Sequence, residues 1–197
     1  MIKVQPIREL DQIARIRRNL KGKKNAVLYC LFVLGINTNL RVSDLRNLRW
    51  ESLWLEGSHE LRALLTLTEK KTGKRRRIKL TEPMIEAIHY LLDNLPRTPE
   101  RTDPVFRNPV TKGAYSREHL SRRIRAEAGK VGIDVMGDDP IGMHSLRKTW
   151  GFHAVVTFHQ PLALVQAGFN HSSQALTLDY CCIRDVDIEV VYETVAL

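Results

Sequence analysis

Apolar positions along the chain recur mostly with helical spacing. Leu10, Ile13, Ile16 and Leu20 share one face of the segment Glu9 to Leu20, with basic residues opposite, which predicts an amphipathic helix. The KGKK that follows breaks the pattern. From Asn25 to Ile36 nearly every residue is apolar, predicting a helix buried on all sides. A polar passage, NTNLR, leads into VSDLRNL, a short helix with Ser43 as its expected N-cap.

The period then changes. Leu61 to Thr68 reads as a strand, EKKTGK as a turn around Gly73, and RRRIKL as a second strand, together a β-hairpin with a basic tip and return strand. Thr81 to Leu95 returns to helix, with Thr81 as cap and Pro83 in the first turn. Pro96 to Pro109 reads as a loop and Gly129 to Gly142 as irregular. Helices are expected over Ser116 to Ala128, over His144 to Phe158, from Pro161 to about Gly168, and from a cap at Ser172 or Ser173 to Tyr180. The tail stays open: Asp185 suits a helix cap, whereas Val186, Ile188 and Val190 alternate as in a strand. The expected fold is mainly α with a small antiparallel β-sheet of two or three strands, as a single domain over 1–197.

Composition adds a partner. The chain of 197 residues is 43% hydrophobic and 27% charged, ordinary for a globular domain. Thirty-one Lys and Arg against 22 Asp and Glu give a net charge of +9, which points to a polyanion such as nucleic acid. No run approaches the ~20 apolar residues of a membrane span, and the N-terminus lacks the features of a secretory signal. Three cysteines, two of them adjacent, make no disulfide framework. A cytoplasmic location, at the nucleoid, is expected.

Five segments carry candidate chemistry. TNLRVSDL sets Arg41 at a loop-to-helix boundary with Asp44 three residues on. The hairpin presents Lys70, Lys71, Lys74, Arg75 and Arg76. HSLRKTW puts His144 and Arg147 on one helix face. FNHSS places His171 before a helix start, and Tyr180 follows nine residues later.

This ordered set resembles the tyrosine recombinase (phage integrase) family, whose pattern runs T-G-L-R-x-S-E, K-T-G-K, H-x-L-R, G-H-S-S and then tyrosine. The resemblance extends from about Pro6 to Leu197. Departures are Asn39 and Asn170 at glycine positions, Asp44 where glutamate is commoner, and Lys148 where histidine is frequent.

The resemblance implies a catalytic set of Arg41, Lys71, His144, Arg147, His171 and Tyr180, acting on double-stranded DNA with no cofactor and no metal. Guanidinium groups suit a phosphodiester, being permanently charged and able to grip two oxygens. His171 adds a donor. A phenol holds its proton at neutral pH, so Tyr180 needs a base, and His144 is the expected one. The departing 5′ oxygen needs an acid, a role that K-T-G alignment assigns to Lys71 over Lys70. Lys70, Lys74, Arg75, Arg76, Arg122 and Arg123 are expected phosphate contacts.

The resemblance further implies self-assembly on DNA through the C-terminal segment. About 25 residues precede the first buried helix, too few for the family's N-terminal core-binding domain, so weak DNA binding by the chain alone is expected. The apolar tail is expected to fold back on its own domain.

Each residue has a plainer reading. Tyr180 would be a half-buried aromatic, Arg41 a surface partner of Asp44, His144 and His153 ordinary helix residues, His171 a helix cap, and the hairpin a solvated tip. Cys181 and Cys182 lack metal-site spacing and read as packing residues. The alternative functions are a catalytically idle DNA-binding paralogue and type IB topoisomerase-like relaxation.

Overall fold

The computed structural model describes residues 4–135 and 140–195; the rest of the segment expected to be irregular, 136–139, lies outside them. In chain order the elements are α1 (Leu10–Gly22), α2 (Ala26–Thr38), α3 (Val42–Arg46), a 3-10 turn (Trp50–Ser52), β1 (Leu64–Thr68), β2 (Arg75–Lys79), α4 (Glu82–Asp93), α5 (Arg117–Gly129), α6 (Met143–Phe152), α7 (Leu162–Phe169), α8 (Gln174–Cys181) and α9 (Asp185–Thr194). The described residues are mainly helical with one antiparallel hairpin. Among the described residues no helix is long and apolar enough to cross a membrane.

Helix α2 is the hub because its apolar residues encircle it, and it packs against α1, α4 and α6. Leu28 to Leu34 are all buried there. A second, smaller cluster of Val165, Phe169 and Cys181, with Trp150 and Tyr180 against it, ties α7 and α8 to α6. Cys181 is thus a packing residue, as expected. Gly151 permits this junction, since a Cβ there would stand 2.6 Å from Phe169 Cζ.

Several local expectations are corrected. Helix α3 starts two residues earlier than a Ser43 cap requires, with Arg41 in the N-cap position. Thr81 precedes α4 without a side-chain capping bond. Of the two expected caps for α8, Ser173 is the one that forms, accepting from Leu176 N–H at 3.3 Å. Helix α6 widens into a π turn over His153–Thr157. The tail is a helix, and its N-terminus is closed by Asp187 Oδ2 accepting from Arg184 N–H at 2.8 Å, not by an Asp185 cap.

That tail does not fold its apolar residues away. Val186, Ile188, Val190, Val191 and Tyr192 on α9 are all exposed. The start of α9 is held, where the Arg8 guanidinium pairs with Asp187 at 2.9 Å and donates to the Cys182 carbonyl. Arg8 is positioned by Ile7, whose N–H donates to Thr149 Oγ1 at 2.9 Å and whose carbonyl lies 3.0 Å from His153 Nε2. His153 is therefore an anchor for the N-terminal segment.

Candidate active site

The site forms where α2 ends, α6 begins and α7 gives way to α8. Two helix ends depend on left-handed backbone: Asn39 follows α2 at φ 48° and Asn170 follows α7 at φ 63°. Asparagine is among the few side chains that occupy this region readily. The two asparagines at glycine positions therefore preserve the chain path. Asn39 adds bonds that glycine lacks, donating from Nδ2 to the Gly168 carbonyl at 3.0 Å and accepting from Arg76 Nη2 at 2.6 Å.

Arg147 lies at the centre, 1% exposed. It donates to the Asn39 carbonyl, to the Phe169 carbonyl at 3.1 Å, and toward His171 Nε2 at 3.3 Å. Its guanidinium carbon sits 5.4 Å from the Tyr180 ring centroid and 4.8 Å from that of Phe169. Among the described residues no carboxylate forms an ion pair with it, and its Nε is buried without a hydrogen bond. Burial first, then the nearby Arg41 charge, lowers its pKa to about 10, leaving it cationic at neutral pH.

The aromatic rings pack around this cation. Tyr180, half-buried on α8, has His171 4.7 Å away at 66° and His144 5.3 Å away at 75°, both edge-on. His171 stacks flat on Phe169 at 4.7 Å and 4°. Burial, reinforced by the Arg147 charge, pushes both His144 and His171 down to about 4. Both rings are neutral at pH 7. Lys148, buried on α6, donates to Cys182 Sγ at 3.2 Å and stands 5.9 Å from the Tyr180 ring.

Arg41 is half-buried at the α2–α3 junction. Its partner is Glu69 at 2.8 Å, not Asp44; Asp44 Oδ1 instead accepts from the Lys70 N–H at 3.0 Å. Burial pushes the Glu69 carboxyl up, but hydrogen bonds from Thr72 and Arg41, with the charges of Arg41 and Arg76, outweigh it and hold the pKa below the usual value.

The structure thus gathers His144, Arg147, His171 and Tyr180 in one cluster, with Arg41 close enough for its charge to act on three of them. Lys71 stands apart at the exposed hairpin tip. Lys70, Lys74, Arg75, Arg122 and Arg123 are exposed and free to face a polyanion. Arg76 is not among them: it is 8% exposed and pairs with Glu69 at 3.0 Å. The reason is the pleat, which puts Arg76 on the same face as Ile78 and opposite Leu67, while Arg75 and Arg77 point out.

Sequence reading missed Glu69, Thr72 and Thr177. Thr177 precedes Tyr180 by one helical turn, and its Oγ1 lies 3.2 Å from His171 Nδ1. Glu69 continues the inward series Leu65, Leu67 by the same alternation that buries Arg76, so its burial was readable, though its partners were not.

The phage integrase family's sequence profile matches residues 8–185. The chain belongs to the phage integrase family, and so to the site-specific recombinases. The probable integrase/recombinase YoeC of Bacillus subtilis (strain 168) is 31% identical over 193 residues, which cover 96% of each chain. Among solved structures, XerA recombinase superposes with a TM-score of 0.75 at 20% identity, covering 96% of this chain and 63% of that one. Lambda integrase (residues 75–356), as a dimer bound to a core site, gives 0.67 at 18% identity, covering 92% of this chain and 60% of that one. These structural likenesses are of fold. The family member described here spans about three fifths of each of those two chains.

Proposed function

We propose that this domain breaks and rejoins double-stranded DNA through a 3′-phosphotyrosyl link to Tyr180. The observation that carries the reading is Arg147: a buried cation without an ion-paired carboxylate, against the ring of a half-buried tyrosine. An uncompensated buried charge is destabilising by several kcal/mol, roughly, and a phosphodiester is the anion that would relieve it.

Arg41 and Arg147 would hold the non-bridging oxygens, supplying positive charge where the pentavalent transition state gathers negative charge. The Tyr180 oxygen attacks phosphorus, the bond to the 5′ oxygen breaks, and the phenolic proton passes to His144. Neutral His144 can accept it, and the arriving phosphate offsets the arginine charges that depress its basicity. The proton taken up by the leaving 5′ oxygen comes from Lys71, once the exposed tip closes over DNA. A 5′ hydroxyl of another strand reverses the sequence, so no bond energy is lost to water.

Two further parts of the reading follow from the surface. The exposed lysines and arginines of the hairpin and α5 would track the DNA backbone, at the nucleoid in the cytoplasm. The exposed apolar face of α9 would dock on a neighbouring copy assembled on the same DNA.

A nicked suicide duplex tests the reaction. Wild-type protein should become trapped as a covalent adduct on a denaturing gel, and Tyr180→Phe should give none while binding DNA equally well. Adduct from the Phe variant would make another residue the nucleophile; none from wild type would leave a DNA-binding paralogue. A 5′-bridging phosphorothiolate, whose leaving group needs no proton, should rescue Lys71→Ala; rescue of Lys70→Ala in its place would move the acid by one residue.

A further inference from the structure

One buried carboxylate in the site has no part in the reaction above. Glu69 is 0% exposed, and each of its oxygens is engaged. Oε2 accepts from Arg41 Nη1 at 2.8 Å and from Thr72 Oγ1 at 2.6 Å, while Oε1 accepts from Arg76 Nη1 at 3.0 Å. These donors come from three places: the α2–α3 junction, the hairpin tip and strand β2. Its backbone closes the tip as well, the N–H donating to the Lys74 carbonyl and the carbonyl accepting from Gly73 N–H, both at 2.9 Å. The next residue, Lys70, is tied through its N–H to Asp44 beside Arg41.

We propose that Glu69 is a positioning residue for strand cleavage, holding the Arg41 guanidinium and the hairpin tip that carries Lys71 in one fixed relation. The inference rests on the strand-transfer reading above. Arg41, Arg76 and Arg147 converge on the site, and like charges this close push one another out of place. Glu69 offsets Arg41 and Arg76 directly, and so keeps Arg41 in place beside Arg147 for the phosphate. It also orders a long, flexible arginine before DNA arrives, so that ordering need not be done at the transition state. The Thr72 bond extends the same restraint to the tip, one residue from Lys71. A charge-bearing carboxylate is required, because an amide in its place presents an acceptor to one arginine and an N–H donor to the other. Donor would then face donor.

The experiment uses single-turnover cleavage of the nicked duplex, with DNA affinity measured alongside. Glu69→Gln should cleave about 10–100-fold more slowly, the loss expected from a misplaced reacting group, with affinity within about threefold of wild type. A Glu69→Gln/Lys71→Ala double variant should be slower than Lys71→Ala alone by much less than the Glu69→Gln factor, because the acid can be misplaced only once. The bridging phosphorothiolate should recover part of the Glu69→Gln loss, with the Arg41 share remaining. Thr72→Val, at an exposed position where folding is not at stake, should lose about 3–10-fold and be fully recovered by the sulfur substrate. Full additivity with Lys71→Ala, wild-type rates in both variants, or losses that track affinity and not cleavage would overturn the proposal. Absence of any adduct from wild-type protein would instead overturn the strand-transfer reading, and this inference with it.

Discussion

Nη2 of Arg147 lies 3.3 Å from Nε2 of His171. A guanidinium carries only donors, so Nε2 is the accepting nitrogen and Nδ1 bears the hydrogen. Nδ1 faces Thr177 Oγ1 at 3.2 Å, and that hydroxyl donates onward to the Ser173 carbonyl, also at 3.2 Å. One neutral tautomer of His171 satisfies the whole relay, in agreement with a pKa pushed down to about 4 by burial and by the Arg147 charge. To donate from Nε2 to a phosphate, His171 has to take up a proton or exchange tautomers when DNA displaces the Arg147 contact.

Thr177→Val keeps the shape of this relay and removes its oxygen. Loss of one such bond is worth about 1 kcal/mol, so single-turnover cleavage should fall roughly 5–10-fold with DNA affinity unchanged. Unaltered cleavage would mean that packing on Phe169 alone orients the ring.

Stability should depend on pH through the two site histidines. Both bind a proton more weakly in the folded chain, so between about pH 4 and the ordinary imidazole range the unfolded chain holds more protons. Their contribution is complete above about pH 6.5 and is lost as pH falls through that window. After discounting for partial solvent screening the two together should account for about 1–3 kcal/mol. Chemical denaturation at pH 7.5 and 4.5 measures it, and a His144→Gln/His171→Gln double variant should show a shallower slope. An equal slope would assign the acid sensitivity to the carboxylates.

Exposed and buried arginines should separate in salt titrations of DNA binding. Six phosphate contacts would give a log–log slope near about −5, and Arg75→Gln or Arg122→Gln should each reduce it by about 1. Arg76→Gln should leave the slope alone and instead lower stability, by about 3–5 kcal/mol if breaking the Glu69 pair behaves as for other buried ion pairs. A reduced slope with unchanged stability would put Arg76 back among the DNA contacts.

Gly151→Ala should force a methyl to within 2.6–2.7 Å of Phe169 Cζ and Cε2. Overpacking of this kind costs about 1–3 kcal/mol, and any shift of Phe169 carries the stacked His171 with it. We expect a lower melting temperature together with slower cleavage. Gly22→Ala, which meets nothing within 4 Å, is the control and should cleave at the wild-type rate. Equal behaviour of the two would show that Phe169 yields without moving His171.

The sequence by itself determined most of the element types and marked the candidate reacting groups. Helical and alternating periods reflect which side of each element meets the core, and a short chain segment records that without knowing its neighbours. Hence α1, α2 and the hairpin were legible, as was the His144–Arg147 face. The alternation through Leu65, Leu67 and Glu69, and through Arg76 and Ile78, also contained the burial of Glu69 and Arg76, but the basic run suggested a solvated strand instead. The tail left open between helix and strand is a helix, closed locally by Asp187 and held at its start by Arg8 from the other end of the chain, a partner that no local pattern announces. Partners were decided by tertiary structure alone. Arg41 has Asp44 three residues away and yet bonds Glu69, because the hairpin folds back and presents a desolvated carboxylate already shared with Arg76. Which charges end up paired depends on which groups lose water together, and that is a property of the packed chain, not of any segment.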